Sequence, residues 1–366
     1  MAEKYRGVVV DTPKVVAMLL IIKLFGVLFA TLVFSKFSPL IDADLYLKGY
    51  FVIDPHLRTQ LVQIVATGVN GIFWGGVTHW VFGVFSIVGL LYYYLTGGRR
   101  YVLVLTLLLP SSFVWTSIVS KEALFFGFFS LILVLWARYV TDKFSKRDFA
   151  FLLISFLICT LLRPHYAVVV IWLFCSVMVI KKTGWSAWGA LAIVLIASAT
   201  AIHLTVWNDL LLHGFDAIDP SARSSRFGLF GINPGSAEGF ERFEQLWPLG
   251  IVVGIVGPLP SELFLRLEFV PFFVEGVLIL LSPVLICFYA MKQRFKRKNL
   301  FFQIFFLCLV PAIFALVILH APFGLLNPGS ASRWRVNFET IFYLAPLLLF
   351  FNFKDSLEHE DCSLSS

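Results

Sequence analysis

Five short polar constellations interrupt an otherwise apolar chain of 366 residues. In Ile41-Asp42-Ala43-Asp44-Leu45-Tyr46 two carboxylates stand two residues apart. Either can act as a general base, and together they offer oxygen ligands to a divalent cation such as Mg or Mn. The same spacing also suits Asp42 as the cap of a helix starting at Ala43. Ser120-Lys121-Glu122 carries the only charges between Arg100 and Arg138. Ser120 fits a helix cap and Glu122 a helix start, whereas Lys121 is a cation at the positive helix end, a conflict an anionic ligand removes. Arg163-Pro164-His165 sets a guanidinium fork beside an imidazole, a pairing suited to phosphate or pyrophosphate, although an arginine there can also snorkel to lipid headgroups. Arg333-Trp334-Arg335 and Arg223-Ser224-Ser225-Arg226 supply two more basic pairs. Glu262, after Gly257-Pro258-Leu259-Pro260, is a further acid.

The elements that must hold these groups follow from composition. Hydrophobic residues make up 59% of the chain and charged residues 14%, and the mean hydropathy is +0.87. No soluble core of this length hides that much apolar surface, so the chain reads as an all-α integral membrane protein. Ten apolar runs are long enough to be candidate spans: 15–35, 74–95, 101–118, 123–140, 149–163, 166–180, 187–206, 270–291, 300–319 and 336–352. The first is read as a retained span, since no small-residue cleavage site follows it. Runs five and six share the Arg163-Pro164-His165 break and also suit a helical hairpin. Residues 247–260 are apolar but rich in Gly and Pro, which predicts a re-entrant or interfacial segment. The five cysteines have no CxxC spacing and no metal-ligand rhythm.

Charge then orients the bundle. With the N-terminus inside, the inner segments hold seventeen Lys and Arg against eight acids, and the outer segments eleven against fourteen. Both termini are therefore expected in the cytoplasm, with a single membrane domain over 1–352, a polar tail over 353–366, and two long external loops, 36–73 and 207–269. The basic excess is a topology signal, so nucleic acid is not a partner. The inner loops are too short for a nucleotide-binding domain, and no phosphate-binding glycine motif follows a strand. All five constellations fall on the outer side and four contain a cation, which points to an anionic, lipid-tethered ligand.

Taken together, the acidic first external loop resembles GT-C-type membrane glycosyltransferases. The set Ser120-Lys121-Glu122, Leu162-Arg163-Pro164-His165 and Ser332-Arg333-Trp334-Arg335 is most similar to bacterial Wzy-type repeat-unit polymerases. The resemblance covers residues 37–335 through short motifs. It implies an external cavity in the inner (plasma) membrane that polymerises polyprenyl-pyrophosphate-linked O-antigen, capsule or exopolysaccharide units, with a chain-length regulator or flippase as partner. Lys121, Arg163, His165, Arg333, Arg335, Arg223 and Arg226 would bind the pyrophosphate. Asp44, Glu122 or Asp42 would take the acceptor proton, and Asp42 and Asp44 would ligate a metal if one is required. The chain is short for a polymerase, and its long outer loop follows no family pattern. Transfer of a single sugar from a polyprenyl phosphate is the alternative activity, and transport of the lipid-linked glycan the alternative without chemistry.

Overall fold

The computed structural model describes residues 2–37, 40–49, 57–183, 225–232, 236–293, 297–325 and 328–364, with isolated helical positions between 189 and 198. Among these the regular structure is helical, without strands. Among the described residues six helices are long and apolar enough to cross a membrane: Asp11–Lys36, Lys121–Val140, Tyr166–Thr183, Leu267–Lys292, Lys298–Pro322 and Ala331–Lys354. A seventh crossing arises if α4 (Gly75–Ser86) and α5 (Val88–Leu95), bent by 45°, act as one. The chain is an all-α membrane protein, divided into two compact units, Met1–Val170 and Ile171–Ser366.

In the first unit α1 (Ala2–Leu32) precedes α2 (Ile41–Lys48) and α3 (Leu57–Ile72). The centre is α8 (Lys121–Val140), buried over most of its length and packed against α4, α5 and α9 (Lys146–Leu162). Close approach explains Gly127 on α8: a β-carbon there would collide with the carbonyl of Phe85 on α4. The run read as one span over 101–118 is instead α6 (Arg100–Leu108) and α7 (Pro110–Trp115). Leu109 is extended at ψ 128, the conformation that a following proline imposes, and Pro110 opens the next helix. At the charged end, Ser145 and Asp148 form a capping box for α9, and Arg138 pairs with buried Asp148 at 3.1 Å. The break after α9 falls at Arg163, again just before a proline, and α10 (Tyr166–Thr183) resumes beyond it.

The second unit contains α11 (Ser225–Phe230), α12 (Ala237–Val256), α13 (Pro260–Leu265), α14 (Val270–Lys292), α15 (Lys298–Ile304), α16 (Val310–Gly324), α17 (Pro328–Arg335) and α18 (Glu339–Leu364). Of the Gly- and Pro-rich stretch 247–260 expected to be broken, residues 247–256 belong to α12, a continuous helix of 20 residues, and the break comes at Gly257, before α13 begins at Pro260. Its glycines serve packing. A β-carbon at Gly250 would meet the Ala321 carbonyl at 2.6 Å, and one at Gly324 would collide with Gly250, so α12 and α16 touch backbone to backbone. Phe243 and Trp247 of α12 close over Ala321 and Leu325 to form the local core. Between α15 and α16 the helix widens into a π-turn, Phe305–Leu309, whose Cys308 carbonyl accepts the Trp172 indole N–H at 3.1 Å. The candidate span 187–206 lies largely outside the described residues.

Candidate functional site

In the first unit the start of α8 gathers side chains from five elements. Ser120 caps the helix, its Oγ accepting the Ala123 N–H at 3.0 Å and donating to the Trp115 carbonyl at 2.8 Å. Residues 116–120 leave the helix yet stay buried, as irregular backbone must when it lies among membrane helices. One amide there, Val119 N–H, donates to Nδ1 of buried His79 on α4 at 3.0 Å. In a neutral imidazole that places the proton on Nε2. Asp44 lies close enough for its carboxylate to act on the same ring.

Glu122 and Arg163 form a buried ion pair at 3.2 Å. This joins α8 to the turn after α9, which the sequence spacing alone does not reveal. Lys121, half-buried, donates to Thr59 Oγ1 on α3 at 2.8 Å. Next to Thr59 is Arg58, whose charge acts on His165 together with that of Arg163. Burial first, then these two cations, hold the His165 imidazole down at about 4. It is therefore uncharged at neutral pH, available as a hydrogen-bonding group and not as a ready acid. Asp42 and Asp44 occupy the first turn of α2, where carboxylates favour the positive helix end. The cap position belongs to Leu40, which makes no side-chain cap bond, so Asp42 is not the cap. Asp44 is exposed and Asp42 half-buried. Among the described residues no group of three or more His, Cys, Asp or Glu is placed to hold a metal.

Deeper in the same unit, Lys23 of α1 is buried and donates to Thr116 Oγ1, which in turn donates to the Ser112 carbonyl. Ser111, Ser117 and Ser130 are buried as well. This interior is polar among apolar helices, a costly arrangement that marks function or a specific structural clasp.

The second unit places Arg226 and Arg335 around the C-terminal end of α12. Arg335, fully buried, donates to the Ile255 and Val256 carbonyls at 3.0 and 3.1 Å and pairs with Glu275 at 2.5 Å. Arg226 donates to the Gly257 carbonyl at 2.8 Å and the Gly324 carbonyl at 2.5 Å, and grips Glu262 with two nitrogens. Cations are well placed at the negative end of a helix, and these satisfy its last carbonyls directly. Arg333 is half-buried beside them in α17, and Arg223 lies outside the described residues. Arg163 belongs to the first unit and Arg333 and Arg335 to the second.

Sequence reading missed Arg58, His79 and Glu275. Glu275 had a usable signal, a lone acid inside the apolar run 270–291. Arg58 and His79 had none, because the groups they act on, His165 and the Val119 amide, come from distant parts of the chain. Comparison of the chain with family models, with curated proteins and with solved structures finds no match.

Proposed function

We propose that this protein is a membrane glycosyltransferase that works at the external face of the plasma membrane on polyprenyl-pyrophosphate-linked glycans, joining repeat units. The observation that carries the reading is the gathering of Arg58, Lys121 and Arg163 about the start of α8 and a neutral His165, where Glu122 is the paired carboxylate. Such a surplus of positive charge at the end of a membrane helix favours a dianionic group. Counted over the ten apolar runs of the sequence, the charge distribution supports both termini inside, which leaves the site on the outer side.

In the reaction, the acceptor hydroxyl oxygen attacks the anomeric carbon, and the bond from that carbon to the pyrophosphate oxygen breaks. The pyrophosphate departs on its lipid with the bonding electrons, stabilised by the cations. The hydroxyl proton passes to a carboxylate. Asp44 suits that role better than Glu122, because Asp44 is exposed while Glu122 is held in a buried ion pair. Polymer ladders distinguish repeat-unit joining from addition of a single sugar. The test is Lys121→Gln, purified at normal yield and assayed by mass spectrometry of lipid-linked glycans. Turnover should fall about 100-fold or more, the scale for loss of one preorganised charge-stabilising group. Extension at the wild-type rate refutes the assignment.

A further inference from the structure

The three cations at the start of α8 differ in what already holds them. Arg163 is buried on Glu122 at 3.2 Å. Lys121 donates to Thr59 at 2.8 Å. Arg58, immediately before Thr59 in the first turn of α3, is half-buried and makes no hydrogen bond or ion pair among the described residues. It occupies the positive end of its own helix; α3 packs against α8 and α9, which bring the like charges Lys121 and Arg163, and against α2, which brings the carboxylates Asp42 and Asp44. Its charge acts on His165, which is uncharged at neutral pH and offers a neutral ring as a hydrogen-bonding partner. An anion arriving beside Arg58, Lys121 and Arg163 offsets their mutual repulsion, while Glu122 is already neutralised by Arg163.

We propose that Arg58 is the residue that contacts the ligand directly, gripping a phosphate or pyrophosphate oxygen pair through its guanidinium fork, while Arg163 acts through Glu122 as a positioning residue. The proposal rests on the reading of a phosphate-bearing ligand given above. Arginine suits the task because its planar fork matches two phosphate oxygens, which the Lys121 ammonium cannot do.

The test uses the full chain in nanodiscs of zwitterionic lipid, with farnesyl pyrophosphate and inorganic pyrophosphate as probes and farnesol as the uncharged control. Wild-type protein should bind at least one pyrophosphate probe, and tighter binding of the farnesyl compound identifies a lipid-borne phosphate. Arg58→Gln should weaken binding by about tenfold to a hundredfold, the range for one charge-assisted contact, without lowering thermal stability. Arg58→Lys should recover part of the loss. A second measurement needs no variant. Arginine modification by phenylglyoxal, mapped by mass spectrometry, should be blocked at Arg58 by the bound probe and unchanged at exposed Arg242. If wild-type protein binds the probe while Arg58→Gln binds equally well, or Arg58 modification is indifferent to it, the role of Arg58 is refuted and the phosphate reading survives. If wild-type protein binds neither pyrophosphate, both fail together.

Discussion

Replacing Arg226 by Met tests whether this arginine is a clasp or a ligand cation. The side chain is 1% exposed and donates to Gly257, Gly324 and both oxygens of Glu262. Removal deprives two backbone carbonyls of this donor and leaves a carboxylate without its cation. Glu262 retains the Leu259 N–H at 2.7 Å and is 15% exposed, so water recovers part of its charge. Breaking a largely buried pair from one side costs about 3–5 kcal/mol, and Arg226→Met should fall in that range. Glu262→Gln should cost only about 1–2 kcal/mol, since Arg226 keeps both carbonyls and the amide oxygen still accepts from Leu259. The asymmetry between partners of one ion pair is the signature of a helix-end clasp. The assay is thermal unfolding in detergent, read by a thiol-reactive dye on buried Cys308 with the other four cysteines replaced by Ser. Arg226→Met protein that unfolds with wild type but loses pyrophosphate binding would refute the clasp and make Arg226 a ligand residue.

Protonation of His165 gives a pH test. Its native value of about 4 lies below the ordinary 6.5, so the unfolded chain takes up a proton that the native state refuses. Its contribution to stability is full above about pH 6.5 and declines as the pH falls toward 4, and His165→Gln should flatten the difference in unfolding temperature between pH 7 and pH 5. Topology is tested by thiol labelling in intact spheroplasts with a membrane-impermeant reagent. A cysteine replacing exposed Glu241 should label from outside and one replacing exposed Thr183 should not, and the opposite pattern would overturn the external site.

Where local chemistry dictates structure, the residues announce it. Ser120 caps α8, Pro164 ends α9 beforehand, and the unbroken apolar run after Glu122 becomes a 20-residue helix. Local cues mislead where packing decides. Pro110 inside an apolar run marks the junction of two helices, whereas Gly250, Gly254 and Pro248 lie within one continuous helix, because α16 needs glycines to approach it. The clusters with charge at the ends of spans are visible as types. Their partners are not: nothing near Glu122 in the chain indicates Arg163, 41 positions away, and nothing near Arg335 indicates Glu275. Arg58 looks like an ordinary loop cation until the fold brings it beside Lys121 and His165.

The π-turn at Phe305–Leu309 gives this chain an unusual sensitivity to winding as opposed to composition. A π-turn is an α-helix carrying one surplus residue, and each residue advances the helix by about 100°. The direction in which Ala321 and Gly324 face is therefore set by an addition some twelve positions upstream. Conservative exchanges among Phe305, Phe306 and Leu307 leave that phase untouched, and the freed geometry is tied down by the Trp172 indole on the Cys308 carbonyl. Deletion of one residue from the turn would remove the surplus and leave that phase nearly unchanged, but regular winding with every residue kept would swing the whole of Val310–Gly324 by about a quarter of a revolution. Glycine would then leave the crossing with Gly250, and a bulkier side chain would enter a space that admits none. In this part of the molecule the winding of the helix is itself structural information.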